Sequence, residues 1–502
     1  MKIAIRVDAA VAIGTGHFMR CLTLANALKQ QHAQVRFVSR HLPEYLRNIL
    51  ETTGHEFVLL DSAQVEARPD ELAHAHWLGV SQLQDAADSI RALSDSTWDW
   101  LIVDHYALDL RWETMLRQTA RRILAIDDLA DRQHDCDLLL DQNLYADMDA
   151  RYIGKVLPRS QLLLGPRYAL LRDEFRQLHE KIKPRNGPVR RILVFFGGID
   201  SDNYTGHVIE ALSRIEIPAL QVDVVIGAQH PYGEQIKASC IQYGFICHVQ
   251  TDKMAELMGA ADLAIGAGGS ATWERCCLGL PTLAIGTAEN QRKQLVDAAR
   301  QGLLYSPEIR GDLGHAIKRH MRALLENSCL RELISSNGMQ MVDGRGALRV
   351  VANMECADIE MRMARPEDSE QLFQWRNHPS IREVSRNAGV IEWQDHQKWL
   401  AEVLADPGRI LLIGQSAGEP VGVIRFDLQN DEAEISIYLV PERISSGMGR
   451  NLLHSAEQWL VSRHPEMRKI CAHVLGINER SQRLFSGAGY QIESTCYSKI
   501  LH

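Results

Sequence analysis

No uninterrupted apolar run in this 502-residue chain reaches the ~20 residues that a membrane-spanning helix needs, so no membrane partner is expected. Basic residues are not in surplus either: 55 Lys and Arg stand against 64 Asp and Glu, a net charge of −9. So little positive charge argues against nucleic acid as a partner, because a phosphate backbone would go unneutralised. The basic pairs Arg121-Arg122 and Arg190-Arg191 are short and read as solvated faces. Ten cysteines are scattered without a repeated spacing; Cys276 and Cys277 are adjacent, and no Cys-x-x-Cys pair occurs. Neither a disulfide framework nor a zinc site is suggested, and reduced thiols in a cytoplasm are the simpler reading. The opening residues, one lysine and then a strand interrupted by Arg6 and Asp8, do not have the form of a secretory signal.

What is present is core material, 45% hydrophobic against 24% charged, in a chain long enough for three folding units. Residues 1–185 alternate short apolar runs (35–38, 100–103, 123–126) with stretches that suit crossover helices, which predicts a parallel, Rossmann-like sheet. The first run, Ile3-Ala4-Ile5-Arg6-Val7-Asp8, leads into Gly14-Thr15-Gly16-His17 and then a helix. Strand, glycine loop and helix together let backbone N–H groups face an anion. Histidine is the side chain best suited to moving protons near neutral pH. Gly14, Gly16 and Asp8 are therefore candidate binding residues and His17 a candidate base or acid, although a plain structural loop has the same local pattern. Asp8 either orients His17 or caps its strand. Two further runs end in Asp104-His105-Tyr106 and Asp127-Asp128, which an open parallel sheet places on the wall of its ligand cleft. The acidic stretch 127–131 reads as a strand end and helix cap rather than a cation site, and no metal is expected.

The segment Lys183-Pro184-Arg185-Asn186-Gly187-Pro188 reads as a linker into a second α/β unit, 186–350. There, a strand at 192–196 ends in Gly197-Gly198-Ile199-Asp200, and a strand at 263–265 leads into Gly266-Ala267-Gly268-Gly269-Ser270 before a helix near Ala271. Amides unobstructed by side chains suit a diphosphate. Glu274, one turn on, is either an acceptor for ribose hydroxyls or a solvated helix residue. With Asn290 and Gln291 after the run 281–285, these features in one unit favour a nucleotide site over four separate turns. The third unit, 359–502, opens on an alternating strand (359–363) and a helix after Arg365-Pro366-Glu367-Asp368. A hairpin is expected around Gly418-Glu419-Pro420. Alternation along 434–440 puts Glu434, Ser436 and Tyr438 on one face. Ser446-Gly447-Met448-Gly449-Arg450 then precedes an amphipathic run, 452–460, in an α+β context.

Taken together, the motifs in residues 1–345 resemble the UDP-sugar hydrolases of pseudaminic acid biosynthesis, relatives of the two-lobed MurG-like, GT-B glycosyltransferases. The matching segments are Gly14-Thr15-Gly16-His17-Phe18-Met19-Arg20-Cys21, Val103-Asp104-His105-Tyr106, Ile126-Asp127-Asp128, Leu164-Gly165-Pro166-Arg167-Tyr168, Phe196-Gly197-Gly198, and 266–274 with Asn290-Gln291. The third unit looks like a GNAT acetyltransferase: Leu439-Val440-Pro441-Glu442 before Ser446-Gly447-Met448-Gly449 resembles the acetyl-CoA pyrophosphate loop, and Asn478-Glu479-Arg480-Ser481 resembles the later motif. Two positions depart from that family, Ile444 where Gln or Arg is usual and Phe485 where a tyrosine acid often stands; Tyr490 and Tyr497 are the remaining tyrosine candidates. The resemblance implies an α/β chain of two Rossmann-like lobes (1–185 and 186–350) and an α+β GNAT domain (359–502). It implies UDP-sugar substrates held by Gly197, Gly198, Gly268, Gly269, Ser270, Glu274, Asn290 and Gln291, with His17 as general base. It further implies acetyl-CoA bound by Leu439, Val440, Gly447, Met448, Gly449, Arg450 and Asn478. Glu434, which alternation turns toward the expected cleft, is either a group that assists the amine or an exposed strand carboxylate. The alternatives are a glycosyltransferase fused to an acetyltransferase, and a non-catalytic sugar-nucleotide sensor with a protein acetyltransferase domain.

Overall fold

Seven short runs, near-continuously apolar in the middle of the sheet, form the first sheet of the computed structural model. They are β1 (Lys2–Val7), β2 (Gln34–Ser39), β3 (Glu56–Leu59), β4 (Trp98–Asp104), β5 (Ala120–Ile126), β6 (Leu138–Asp141) and β7 (Gln161–Leu164). All are parallel, in the order β3-β2-β1-β4-β5-β6-β7. Ile3, Ala4, Ile5 and Val7 are fully buried, as expected for a strand covered by helices on both faces. The chain leaves β1 through Gly14, whose φ of 77° suits glycine, and enters helix α1 (Gly16–Gln30). The structure describes residues 1–10, 12–61, 71–215, 217–287, 289–309, 311–355, 359–385, 387–416, 418–443 and 448–493. They fall into two units, Met1–Val350 and Val351–His502.

A second parallel sheet follows within the first unit, from β8 (Arg191–Phe195), β9 (Gln221–Ile226), β10 (Ile246–Val249), β11 (Leu263–Ala267) and β12 (Thr282–Ile285). Its order is β10-β9-β8-β11-β12. In both sheets the strand order reverses beside the first strand, at β1/β4 and at β8/β11. Open α/β sheets bind ligands at such switch points, beyond the carboxyl ends of the strands. The helices α2 (Ala271–Cys277) and α3 (Glu289–Arg300) follow β11 and β12. Among the described residues no helix is long and apolar enough to cross a membrane.

The second unit holds β13 (Glu360–Met363), β14 (Arg409–Ser416), β15 (Glu419–Gln429), β16 (Glu432–Leu439) and β17 (Lys469–Ala472), paired in that order. Only the last pair is parallel. Helix α4 (Gly449–Arg463) covers one face through Leu452, Leu453, Ala456 and Leu460. The helices Ser369–Asn377 and Trp393–Ala405 cover the other, around Leu372, Trp375 and Leu400. Glycines in β14 and β15 admit α4: a Cβ at Gly414 or Gly422 would stand 2.3 or 2.4 Å from a Leu452 methyl.

One buried histidine in the first unit ties stability to pH. His134 Nδ1 lies 2.8 Å from Glu113 Oε1, and Nε2 lies 3.8 Å from Asp127 Oδ2. Burial alone would lower its pKa, but the two carboxylates outweigh it and raise the value to about 9. Below the ordinary histidine value of about 6.5 both folded and unfolded chains hold the proton; above it only the folded chain does. The stabilisation from this proton is expected to be lost as pH rises through about 9. Thermal unfolding followed between pH 6 and 10 should show that decline, and His134→Gln should flatten it.

Candidate functional site

Because α1 starts immediately after the Gly14 turn, His17 stands in its first turn at the β1/β4 switch point, 9% exposed. Asp104, the last residue of β4, reaches it there: His17 Nδ1 lies 2.6 Å from Asp104 Oδ1. Arg20, three residues on and therefore on the same helical face, grips the same carboxylate with Nε at 2.6 Å from Oδ2 and Nη2 at 2.7 Å from Oδ1. Burial would raise the pKa of Asp104, but Arg20 and His17 hold it well below the usual carboxylate range. An ionised carboxylate can only accept, so Nδ1 carries the imidazole proton and Nε2 keeps a lone pair for a substrate. The arrangement fixes the ring and leaves Nε2 able to accept a proton.

The expectation that Asp8 orients His17 is corrected here. Asp8 is completely buried and takes both guanidinium nitrogens of Arg6, at 2.6 and 3.0 Å, with the backbone N–H of Arg40 at 2.7 Å. Arg6 also binds Asp85, which accepts from Trp112 Nε1. Asp8 therefore belongs to an ion cluster inside the lobe, out of a ligand's reach. The pairing with Arg6 had a usable signal, since residues two apart on a strand share one face.

From Asp104 the network runs onward. Arg20 Nη1 donates to Asp128 Oδ2 at 3.0 Å, and the Tyr106 hydroxyl donates to Asp128 Oδ1. Asn143 Nδ2 donates to Asp128 at 3.3 Å, while its Oδ1 accepts from Trp273 Nε1 at 3.0 Å and Gln294 Nε2 at 3.1 Å. Trp273 lies on α2 and Gln294 on α3, so one asparagine joins the two lobes. Asp127 turns inward instead, to Arg132 and the N–H of Ala130, as a strand end should. Sequence reasoning had put Asp104 and Asp128 on the cleft wall but missed Arg20 as a site residue, although its spacing from His17 was a usable signal. Asn143 carries no local signal.

In the second lobe, Gly197 and Gly198 follow β8, and Gly268, Gly269 and Ser270 follow β11, so both loops lie at the β8/β11 switch point. Gly197 and Gly269 take φ of 99° and 92°. The first loop is pressed onto its neighbour: a Cβ at Gly227 would come 2.3 Å from the Gly198 carbonyl oxygen. Ser270 is exposed and its side chain caps nothing. Gln291 accepts from Thr287 and packs on Gly268, where a Cβ would meet Gln291 Oε1 at 3.2 Å. The side chain of Asn290 lies outside the described residues. Glu274 is mostly buried, and burial raises its pKa against the charges of Arg172 and Arg275.

In the second unit β17 pairs with β16 only from Glu432 to Ile435, so β16 continues to Leu439 without that neighbour and the sheet opens there. Beyond the opening the chain reaches α4 through Met448, whose side chain is core, Gly449 and the exposed Arg450. Gly447 and Ile444 lie outside the described residues, as does Tyr497. Val440 is buried, its N–H donates to the Val421 carbonyl at 3.0 Å and its own carbonyl accepts from Arg443 N–H at 2.9 Å, so both of its backbone groups are already paired. Asn478 caps the helix Glu479–Gly487 through Ser481 N–H. Glu434, on the face opposite α4 with Ser436 and Tyr438, lies 3.9 Å from His473 Nε2. Tyr490 donates to Glu457 on α4 at 2.8 Å, and burial together with that carboxylate pushes its pKa up. A phenol so held is a poor proton donor.

Comparison with known proteins divides the chain in the same way. Residues 358–491 match the family model described as an acetyltransferase (GNAT) domain, so the chain carries a GNAT domain at its C-terminal end. An uncharacterized protein of Methanocaldococcus jannaschii is 23% identical over 98% of this chain and 97% of its own length. The UDP-2,4-diacetamido-2,4,6-trideoxy-beta-L-altropyranose hydrolase of Campylobacter jejuni is 24% identical over 60% of this chain and 97% of the relative. Among solved structures, MurG of Acinetobacter baumannii aligns with 70% of this chain and 99% of its own, at 14% identity and a TM-score of 0.49.

The tautomer is directly testable. At alkaline pH, nitrogen-15 NMR should find the His17 proton on Nδ1, and Asp104→Asn, whose amide can donate to Nδ1, should move it to Nε2.

Proposed function

We propose that the first unit hydrolyses a UDP-linked diacetamido-trideoxy sugar and that the second acetylates the amino group of its precursor from acetyl-CoA. The observation that carries the first half is the His17–Asp104 pair at a switch point, in a chain similar over that region to a hydrolase of such a substrate. In this reading the backbone of Gly268, Gly269 and Ser270, with Gly197 and Gly198, receives the diphosphate, and Glu274 receives the ribose. His17 Nε2 takes a proton from water as the oxygen bonds to the anomeric carbon. The bond from that carbon to the diphosphate oxygen breaks, and UDP leaves with the electron pair. A positioned base contributes on the order of 10²–10⁴ in rate. Asp104 holds the ring and balances the charge it gains, while Arg20 keeps Asp104 ionised and in place.

For the second half, support comes from the GNAT match and the opening of the sheet beside Leu439 and Val440. Acetyl-CoA supplies the acyl group, and the backbone around Met448 and Gly449 at the start of α4 suits its pyrophosphate. Glu434, beside His473 on the strand face away from α4, takes the proton that the amine must lose before its nitrogen bonds to the thioester carbonyl carbon. The C–S bond then breaks, and CoA leaves as a thiolate that picks up a proton as the new amide sheds its extra one. Acetylation precedes loss of UDP, because the hydrolase named above acts on the diacetylated sugar nucleotide.

Mass spectrometry of the purified chain with acetyl-CoA and the UDP-4-amino sugar tests both halves. Free diacetamido sugar and UDP are expected from the wild type, and the acetylated UDP-sugar alone from His17→Ala. A UDP-sugar left intact by the wild type, but transferred when an acceptor is added, would replace hydrolysis by glycosyl transfer. Glu434→Gln is expected to slow acetyl transfer at least about tenfold; unchanged kinetics would remove Glu434 from the mechanism.

A further inference from the structure

Three rings gather around His17, and only one of them, Tyr106, belongs to the motifs read from the sequence. Tyr106 stands edge-to-face against the imidazole, with centroids 4.5 Å apart and planes at 86°. Trp77 stacks on Tyr106 at 5.6 Å and 26°, and it also faces His17 edge-on at 6.3 Å. His74 closes the group, 4.6 Å from Trp77 and 5.2 Å from Tyr106. Trp77 lies on the single helical turn Ala75–Trp77, between β3 and the helix Gln82–Ala92. Trp77, His74 and Tyr106 are all partly exposed, whereas Trp98, Trp100, Trp112 and Trp273 in the same unit are buried.

We propose that Trp77 and His74 form an aromatic wall that receives the apolar C–H face of the sugar, and so select the sugar part of the substrate. This rests on the hydrolase reading above. If His17 Nε2 activates water at the anomeric carbon, that carbon must lie close to the imidazole, and the pyranose attached to it must lie against whatever flanks the ring. What flanks it here is aromatic. Ligand pockets combine such surfaces with a few placed polar groups, and here the polar side is supplied by His17, Tyr106 and Asp128. An aromatic wall favours a sugar with few hydroxyls on one face, since each hydroxyl pressed on a ring without a partner is destabilising. A 6-deoxy, N-acetylated hexose fits that description better than a fully hydroxylated one. The wall touches only the sugar, because the loops assigned to UDP belong to the other lobe.

The test separates sugar from nucleotide. With UDP-2,4-diacetamido-2,4,6-trideoxy-beta-L-altropyranose as substrate, Trp77→Ala should raise KM by roughly three- to tenfold, the scale of one lost aromatic contact, and change kcat less. The dissociation constant for UDP alone, by calorimetry, should stay within about twofold, and Trp77→Phe should restore most of the KM. His74→Ala, which alters the wall from its open side, should give a smaller rise of the same kind and serves if Trp77→Ala does not fold. An unchanged KM in both alanine variants would overturn the proposal. So would a UDP affinity that falls in parallel with KM, since that marks a merely structural role. Wild-type chain that binds UDP but leaves the sugar nucleotide intact would instead refute the hydrolase reading, and the sugar wall with it.

Discussion

One carboxylate organises the first lobe's site. Asp104 ends the central strand β4, where the sheet's parallel order reverses, and it is completely buried. Such a group is costly to ionise unless charge and hydrogen bonds compensate, and Arg20 and His17 supply both. Because the guanidinium satisfies both oxygens at once, the carboxylate cannot rotate, and the imidazole it holds cannot either. The same arginine extends to Asp128, and through Asn143 the network reaches Trp273 and Gln294 in the second lobe. His17 and the two helices that follow β11 and β12 are therefore tied by one connected set of polar contacts, within one unit of the fold.

The opposite strategy serves the second lobe. There, the candidate binding surface is made by leaving side chains out: Gly197, Gly198, Gly268 and Gly269 expose backbone amides at the strand ends, two of them at positive φ. Gly227 lets the first of these loops lie directly on the next strand end. Charged side chains thus gather at the switch point of one lobe and bare backbone at that of the other, a division that the proposed diphosphate leaving group and attacking water would use. The GNAT domain uses backbone in a third way. Its sheet opens because β17 pairs with β16 only as far as Ile435, so among the described residues 436–439 have no strand neighbour on that side.

Much of this was legible from local pattern. The strands at 3–7, 100–103, 123–126, 192–196, 263–265 and 434–440 were readable because buried parallel strands are continuous apolar runs and half-buried antiparallel ones alternate. Of the four-residue strands, β12 and β13 were readable beside clear turns, whereas β3, β6, β7, β10 and β17 were not, since so few residues set no period without a flanking signal. The loops at Gly14, Gly197 and Gly268 could be found because only glycine tolerates what those turns demand. His17 could be singled out by its place after such a turn.

Pairing across distance is what the sequence did not determine. Whether His17 was served by Asp8, nine residues away, or by Asp104, eighty-seven away, depended on which strand lies beside β1, and that is fixed by the order β2-β1-β4. Asp8 went to Arg6 because both are trapped inside the lobe, where neither charge can stand alone. Trp77 reached the imidazole, and His74 reached Trp77 and Tyr106, through a connection that shows no pattern of its own. The sequence by itself determined the elements, the glycine turns and the chemical types available. The tertiary structure alone decided which acid holds the base, which asparagine joins the lobes and which rings wall the site, because those contacts are set by strand order and burial rather than by neighbours along the chain.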